Sequence, residues 1–474
     1  MPKKLTKAEA LNSPKGMHDI LENQYYDYQG FFEKASDVAL YYGFKPIETP
    51  VLEREDVFLK SQGEGTDIID KEMYTLKTKG GHHLAMRPEG TAGIMRAYIE
   101  HGMQALPQPV MFYYYGPYFR HENPQRGRLR EFRQFGLEIL GTEKSIADAL
   151  VIKAFFVILE EAGFSDMRID INSIGDQNCR PAYIKELLSY YRKHVNDVCA
   201  HCRQRMKTNP LRLLDCKNSK CQELREDAPA PMSHLCTPCR AHFKEVLEYL
   251  EALEIPYTIN NHLVRGLDYY TKTVFEIFDC SSEEECVEDI KEEEIKDGEN
   301  ADEKDSDEKD SDEKNEKEEK KPEKKAEVHE PLAIASGGRY DDLSKTLGSK
   351  KEVFSVGGSI GVDRLIMSPK HKKLSPRIKR KPKVYFIQLG FEAKLKSLTV
   401  IDILRKAHVP IAQSLSKNSL AAQLGHAEKI GVPYTLIFGQ KEAMDETVLI
   451  RNMHTRSQET VKIANLTEHL KTLK

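Results

Sequence analysis

No run of about 18 apolar residues occurs in this 474-residue chain, so no helix of it is expected to span a membrane. Its opening, Met-Pro-Lys-Lys-Leu-Thr-Lys, has neither the apolar stretch of a secretory signal nor the arginine-rich amphipathic pattern of a transit peptide. A cytoplasmic, reducing setting is the expectation, and the nine cysteines are then no disulfide framework. A G-x-x-x-x-G-K-[ST] loop is also missing, so any nucleotide is not held as a P-loop enzyme holds it. Gly357-Gly358-Ser359-Ile360-Gly361-Val362-Asp363-Arg364-Leu365 matches a dinucleotide fingerprint only in part, and no βαβ unit follows it. Those glycines can instead let a strand and a helix approach closely, with Arg364 on the first helical turn.

What is present begins with a hidden asymmetry of charge. Residues 283–328 carry 23 Asp or Glu and 10 Lys, a net of −13, whereas the whole chain is at −4; the remainder therefore stands at +9. A basic body with an acidic insert favours polyanionic partners. The insert is low in complexity: Asp302-Glu303-Lys304-Asp305-Ser306 recurs at Asp307–Ser311. With almost no apolar residues it cannot offset its ordering entropy, and disorder is expected. Thr273–Phe278 before it and Leu332–Gly338 after it both have strand character, so the insert is read as an expanded loop between two strands, as in a hairpin.

Spacing organises the rest. Tyr28, Phe31, Phe32, Ala35, Val38 and Ala39 make one helical stripe over 25–42, which Gly43 ends. Pro46 and Pro50 then force an extended segment. Residues 110–121 and Phe132–Leu140 read as an antiparallel strand pair. Helices are expected at 146–162, 180–194 and 240–253. Beyond a basic linker at 370–383, strands at Val384–Leu389, Pro410–Leu415 and Tyr434–Phe438 alternate with helices near 394–407 and 418–430. That pattern implies a small α/β domain with right-handed crossovers.

Two local constellations carry chemistry. Arg265-Gly266-Leu267-Asp268-Tyr269-Tyr270 sets a guanidinium, an acid and two phenols at the entrance of an apolar strand. It suits an anionic, partly aromatic ligand, or is a surface turn with ordinary tyrosines. Cys199-x-x-Cys202 and Cys236-x-x-Cys239 can offer four thiolates to a tetrahedral zinc, with Cys216 and Cys221 between them. The alternative is a set of reduced, half-buried cysteines near helix ends.

Five ordered segments together resemble a known family. Gly43-Phe-x-x-Ile47-x-x-Pro50-Val-Leu is similar to motif 1 of class II aminoacyl-tRNA synthetases. Phe119-Arg120-His121-Glu122 with Arg133-x-Phe135-x-x-Glu138 is similar to motif 2, and Gly358-x-x-Gly361-x-Asp363-Arg364 to motif 3. Arg265–Tyr270 and Ser336-Gly-Gly-Arg-Tyr-Asp341 resemble the two signatures of histidyl-tRNA synthetases, as does Arg87-Pro88-Glu89-Gly90-Thr91. The resemblance runs from about Pro14 to the C-terminus, interrupted by the acidic insert.

It implies an α+β catalytic domain on an antiparallel six-stranded sheet (the class II synthetase fold), in two parts at 1–176 and 257–369. A helical, cysteine-bearing insertion at 177–256 separates them, and a C-terminal α/β anticodon-binding domain spans 384–474. It also implies a homodimer that adenylates L-histidine with ATP and Mg²⁺ and transfers it to the terminal adenosine of tRNA(His). Relatives with a similar insertion do not generally advertise a metal, which weighs against zinc. By the same resemblance Arg120 bridges the histidine carboxylate and the α-phosphate, Arg265 meets the α-phosphate from the other side, and Arg364 holds the γ-phosphate. Glu89 and Thr91 receive the ammonium, and Gln134 orients the amino-acid backbone. Glu138, Tyr269, Tyr270 and Tyr340 line the imidazole pocket. Glu122 and Arg128 meet adenine or the tRNA acceptor end. The resemblance assigns no role to Asp268; orienting Arg265 or the turn is the reading considered for it.

The alternative is a catalytically inactive synthetase-like regulatory subunit or an uncharged-tRNA sensor. The presence of Arg120, Arg265 and Arg364 and of a C-terminal α/β domain favours the enzyme. Deleting residues 283–328 is expected to leave melting temperature and kcat largely unchanged, because the segment brings no core; a large drop in either, by calorimetry or aminoacylation assay, contradicts this.

Overall fold

Apolar residues at every second position of long strands, opposed by glycines and polar groups at the others, build the main sheet. The computed structural model describes residues 11–280 and 333–473, apart from 64, 65, 67, 124–126, 380, 417 and 418. The chain divides into two compact units, one up to Leu374 and one from Ser375.

The first unit opens with α1 (Glu22–Tyr41), followed by β1 (Lys45–Pro46), β2 (Leu52–Arg54), α2 (Glu55–Gln62), β3 (Thr75–Lys77), β4 (His83–Met86) and α3 (Thr91–Glu100). The long strands β5 (Val110–Phe119) and β6 (Glu131–Leu140) come next, then α4 (Ile146–Glu161) and β7 (Met167–Ser173). Four helices follow: α5 (Arg180–Lys193), α6 (Ala200–Thr208), α7 (Ser219–Glu226) and α8 (Thr237–Ala252). The chain then returns through β8 (Tyr257–Ile259), β9 (Thr271–Asp279), β10 (Ala335–Arg339), α9 (Leu343–Thr346), β11 (Ser355–Gly361) and α10 (Val362–Met367).

The sheet order is β1-β5-β6-β11-β10-β9-β7-β8. Its six central strands are antiparallel throughout, as expected. The short β1 and β8 add one parallel strand at each edge, which the sequence reading did not separate from loop. Strands β9 and β10 pair antiparallel on either side of the acidic insert. The insert's expected disorder lies outside the described residues.

One face of this sheet is core. Phe135, Leu137 and Ile139 of β6, Phe275 and Ile277 of β9, and Val356 and Ile360 of β11 pack against Phe155 and Leu159 of α4 and Phe31 of α1. Each such buried side chain contributes about 1.5–3 kcal/mol. The other face carries glycines and polar groups. Gln134 lies between Gly116 and Gly361, and Glu276, Ser336, Ser359, Gly136 and Tyr114 run across five neighbouring strands in register. Asp363 of α10 ties the two sides together, accepting from Tyr28 Oη at 2.6 Å and from the Arg133 amide.

A buried ion pair fixes the strand edge beside that face. Arg339 and Asp148 are both fully buried and bonded to each other. Arg339 also reaches Asp341 at 3.2 Å and the Thr142 carbonyl at 2.9 Å. Burial alone would raise Asp148, but Arg339 and His242 outweigh it and hold its carboxyl well below the usual carboxylate range. Next to it, a bulge shifts the β9–β10 register between Gly338 and Arg339. Lys272, inside the bulge, takes a left-handed φ of 48° and directs its ammonium to Asp341 at 3.0 Å.

In the second unit, β12 (Val384–Gln388), α11 (Phe391–Lys406), β13 (Ile411–Gln413), α12 (Leu420–Ile430) and β14 (Tyr434–Phe438) give the expected alternation, with β13-β12-β14 parallel. Then α13 (Gln440–Asp445), β15 (Thr447–Asn452), β16 (Gln458–Lys462) and α14 (Leu466–Thr472) complete it. The antiparallel β15 and β16 extend the sheet beyond what its periodicity suggested.

Arg339→Met is expected to destabilise the first unit by about 3–5 kcal/mol, since it strands a buried carboxylate. Urea unfolding checks this. The depressed Asp148 pKa stabilises above the unfolded carboxylate value of about 3.9, and that share is lost only as pH falls below it. The variant's deficit should therefore shrink only in acid.

Candidate active site

Glu138 anchors the site. It lies on β6, on the polar face, and is fully buried. Thr91 Oγ1 donates to its carboxylate at 2.7 Å, Tyr340 Oη donates to the other oxygen, and Tyr114 Oη stands at 3.4 Å. The next charge it feels is a second carboxylate, Glu89. Burial, only partly offset by the hydroxyls, pushes Glu138 up to about 8. Glycine makes this arrangement feasible. A Cβ on Gly357, its register partner on β11, would fall 1.6 Å from the Glu138 carboxylate, and one on Gly136 would fall 2.1 Å from the Tyr114 ring.

Glu89 sits at the start of α3. Its carboxylate accepts from the amides of Thr91 at 2.6 Å and Ala92 at 3.1 Å, so it satisfies free helix-end donors and meets the positive end of the helix dipole. Burial raises its pKa all the same; these amides and Arg120 act against that. Tyr269 Oη reaches Glu89 at 3.4 Å. Its ring packs 4.7 Å from Tyr270 and edge-on to Tyr340 at 5.9 Å. All three tyrosines are buried.

Guanidinium groups gather beside this acidic, phenolic cluster. Arg120 bonds the Pro88 carbonyl at 2.9 Å and lies 3.9 Å from Glu122, which also pairs with Arg128 at 3.4 Å. Arg364 bonds the carbonyls of Gly127 at 3.0 Å and Ala333 at 2.7 Å. Burial lowers its pKa, and repulsion from Arg128 and Arg120 adds to this. Arg265 pairs with Glu276, donates to Ser336 Oγ at 2.8 Å and stands 5.9 Å over the Tyr270 ring. Its Nε is buried with no partner among the described residues. Four guanidinium groups thus face two carboxylates, Glu122 and Glu276, leaving an excess of positive charge for an anion.

The structure therefore brings Glu89, Thr91, Glu138, Tyr269, Tyr270 and Tyr340 into one buried cluster, with Arg120, Arg128, Arg265, Arg364 and Glu122 beside it. Gln134 lies on the same sheet face, between two glycines. Asp268 turns away from Arg265. It accepts from Asn209, while Arg212 donates to the Gly266 carbonyl at 3.2 Å, so the helical segment between β7 and β8 holds the turn. Orientation of Arg265 falls to Glu276 and Ser336 instead. Tyr114 and Glu276 escaped the sequence reading, and Ser336 entered it only as the first residue of a signature, without a role. Glu276, a lone acid in the run Thr-Val-Phe-Glu-Ile-Phe, was the one visible signal.

The zinc quartet considered for Cys199, Cys202, Cys236 and Cys239 does not form. Cys199 precedes α6 and Cys236 precedes α8, and each knuckle finds other partners. Cys199 and Cys202 meet Cys216 and Cys221, whereas Cys236 and Cys239 meet Asp176 and Cys179.

Because Glu138 is raised in the fold, its contribution to stability is full below its unfolded pKa of about 4.3 and is lost as pH rises through about 8. Within that window it should lower ligand-free stability by up to about 1.4 kcal/mol per pH unit. Glu138→Gln, which cannot titrate, is expected to flatten the fall in urea midpoint between pH 6 and pH 9; an unchanged slope contradicts this.

Comparison with known proteins agrees with this geometry. The family model for histidyl-tRNA synthetase matches residues 16–288, and that for an anticodon binding domain matches 383–473. The chain is 35% identical to the histidine–tRNA ligase of Caldicellulosiruptor bescii, across 97% of this chain and 98% of that one. It is 36% identical to that of Dehalococcoides mccartyi, across 96% and 97%. The crystal structure of apo S. aureus histidyl-tRNA synthetase superposes with a TM-score of 0.71 at 26% identity, covering 98% of this chain and all of that one. With a matching family model over more than half its length and relatives of this identity end to end, the chain belongs to the histidyl-tRNA synthetase family.

Proposed function

We propose that this chain is a histidine–tRNA ligase: it joins L-histidine to ATP as an adenylate, releasing pyrophosphate, and then transfers histidine to the 3′-terminal adenosine of tRNA(His). The observation that carries this is Glu138, a fully buried carboxylate faced by hydroxyls and next to an excess of guanidinium. An imidazole answers the first feature. One ring nitrogen can donate to the carboxylate while the other meets a phenol of Tyr269, Tyr270 or Tyr340. A side chain without such groups leaves Glu138 unmet in a dry site, at a cost that favours histidine strongly. Glu89 and Thr91 receive the ammonium, and Gln134 orients the backbone of the amino acid.

A nucleoside triphosphate answers the second feature. The histidine carboxylate attacks the α-phosphorus, and these two anions repel. Arg120, between Glu89 and Glu122, bridges them, and Arg265 offers its unpartnered Nε to the α-phosphate from the opposite side. Arg364 holds the γ-phosphate. Glu122 and Arg128 meet adenine or the acceptor end of the tRNA. Glu276, paired with Arg265, is one acidic oxygen donor on this face; one carboxylate plus phosphate oxygens and water is the usual surrounding of Mg²⁺, which when bound would neutralise the β and γ oxygens. Each of these protein groups positions or stabilises charge, the main requirement of such a transfer. The family resemblance adds a homodimer, with the second unit reading the anticodon. No helix among the described residues is long and apolar enough to cross a membrane. A regulatory role without catalysis has no particular observation in its favour, since Arg120, Arg265 and Arg364 are all present in the chain.

Pyrophosphate exchange with ATP, run across all amino acids with Mg²⁺, is expected to depend on histidine alone; absence of exchange from folded protein overturns the reading. Arg265→Ala should abolish adenylation, by about 100-fold or more, with tRNA binding nearly intact. Equal loss of both would make Arg265 structural.

A further inference from the structure

The helical segment between β7 and β8 contains two sulfur-rich clusters that the ligase chemistry does not use. In the first, Cys199, Cys202, Cys216 and Cys221 place their sulfurs within 4.8 Å of one another. Three are buried and Cys199 is half-buried. They come from separate pieces of chain: the start of α6, its first turn, the stretch after the Pro210–Leu213 turn, and α7. Cys199 and Cys216 sulfurs are 3.8 Å apart. A tetrahedral zinc with Zn–S bonds of about 2.3 Å sets its sulfurs about 3.8 Å apart. Backbone amides also point at sulfur, from Cys202 to Cys199 Sγ at 3.4 Å and from Cys199 to Cys221 Sγ at 3.3 Å. Such donors favour thiolate over thiol. Apolar packing of reduced thiols would need neither the convergence of four sulfurs on one point nor amides aimed at them.

We propose that these four cysteines bind one zinc ion, each thiol releasing its proton to solvent. A separate set of atoms carries a second site. Asp176, Cys179, Cys236 and Cys239 also lie within 4.8 Å of one another. The Cys179 and Cys239 sulfurs are 3.8 Å apart, and the Asp176 amide points at Cys179 Sγ at 3.4 Å. Three thiolates and a carboxylate make a closed tetrahedral set, and they join the chain just after β7 to the start of α8. We infer that a second zinc sits there, fastening the two ends of the helical segment.

The first site has a consequence for the active site. Cys202 and Cys216 flank the stretch that carries Asn209 and Arg212, and these hold Asp268 and the Gly266 carbonyl. Zinc would brace that stretch, and through it the turn from Arg265 to Tyr270.

The test is metal analysis of the full-length protein, purified without a polyhistidine tag or chelator. Two zinc ions per chain are expected, with one lost in Cys202→Ala and the other in Cys239→Ala. One zinc that survives Cys239→Ala and is lost in Cys202→Ala overturns the second site; the reverse overturns the first. Folded protein with no metal and nine titratable thiols overturns both. Should a variant fail to fold, titration of the unmodified protein with a mercurial gives the same count, because zinc release then tracks thiol modification. A final arm rests on the ligase reading. Protein stripped of zinc and resupplied with Mg²⁺ should show a histidine KM raised about tenfold, the worth of one hydrogen bond to a charged group, with the KM for ATP little changed. An unchanged histidine KM overturns the bracing role; no exchange even from zinc-loaded protein counts against the ligase reading and leaves the metal count untouched.

Discussion

A carboxylate held out of water with hydroxyls for company is the constraint around which the first unit is arranged. Glu138 can occupy its place only because Gly357 opposes it in the sheet and Gly136 leaves room for the ring of Tyr114. Those glycines weaken strands by their conformational freedom. The compensation lies on the opposite face of the same strands, where Phe135, Leu137, Ile139, Val356 and Ile360 meet α1 and α4. Alternation of side chains across a strand thus lets one element be core on one side and binding surface on the other.

The two halves of the site ask for opposite charges, and the fold keeps them apart without insulating them. Glu89 and Glu138 crowd together at one end, where burial raises both. Arg120, Arg128, Arg265 and Arg364 gather at the other end, where Arg364 is pushed down by burial and by its neighbours. Each end is electrostatically uncomfortable by itself. A ligand carrying an ammonium and an imidazole on one side and phosphates on the other relieves both at once. Low polarity strengthens these attractions beyond what they would be in water.

Much of this was legible in the sequence, and the parts that were not share a reason. The long elements announced themselves by period: α1, α4, β5, β6 and β14 fall within a few residues of expectation. The proposed site residues Arg120, Glu138, Tyr269 and Arg364 came from ordered motifs, because chemistry ties residue type to position. Tyr114 escaped since its role depends on which residue lies across the strand, and register is not written in one strand alone. The cysteines misled for the same cause. Two C-x-x-C knuckles look like partners on paper, yet each starts a different helix, and the chain supplies Cys216 and Cys221 to one and Asp176 and Cys179 to the other. Asp268 likewise bonds a residue 59 positions away.

That last contact shows why the turn from Arg265 to Tyr270 can serve both halves of the site. Arg265 is fastened to the sheet through Glu276 and Ser336. Gly266 and Asp268 are fastened to the helical segment through Arg212 and Asn209, and Arg180 at the start of α5 donates to the Tyr270 carbonyl at 2.6 Å. A glycine-containing turn held at one end only would sample many conformations, and Arg265 would lose its fixed distance from Tyr269 and Tyr270. Held from two sides, it keeps guanidinium and phenols in constant relation. In the proposed ligase reaction, amino-acid choice and phosphate positioning would then move together or not at all, which is what a reaction limited by alignment of two anions requires.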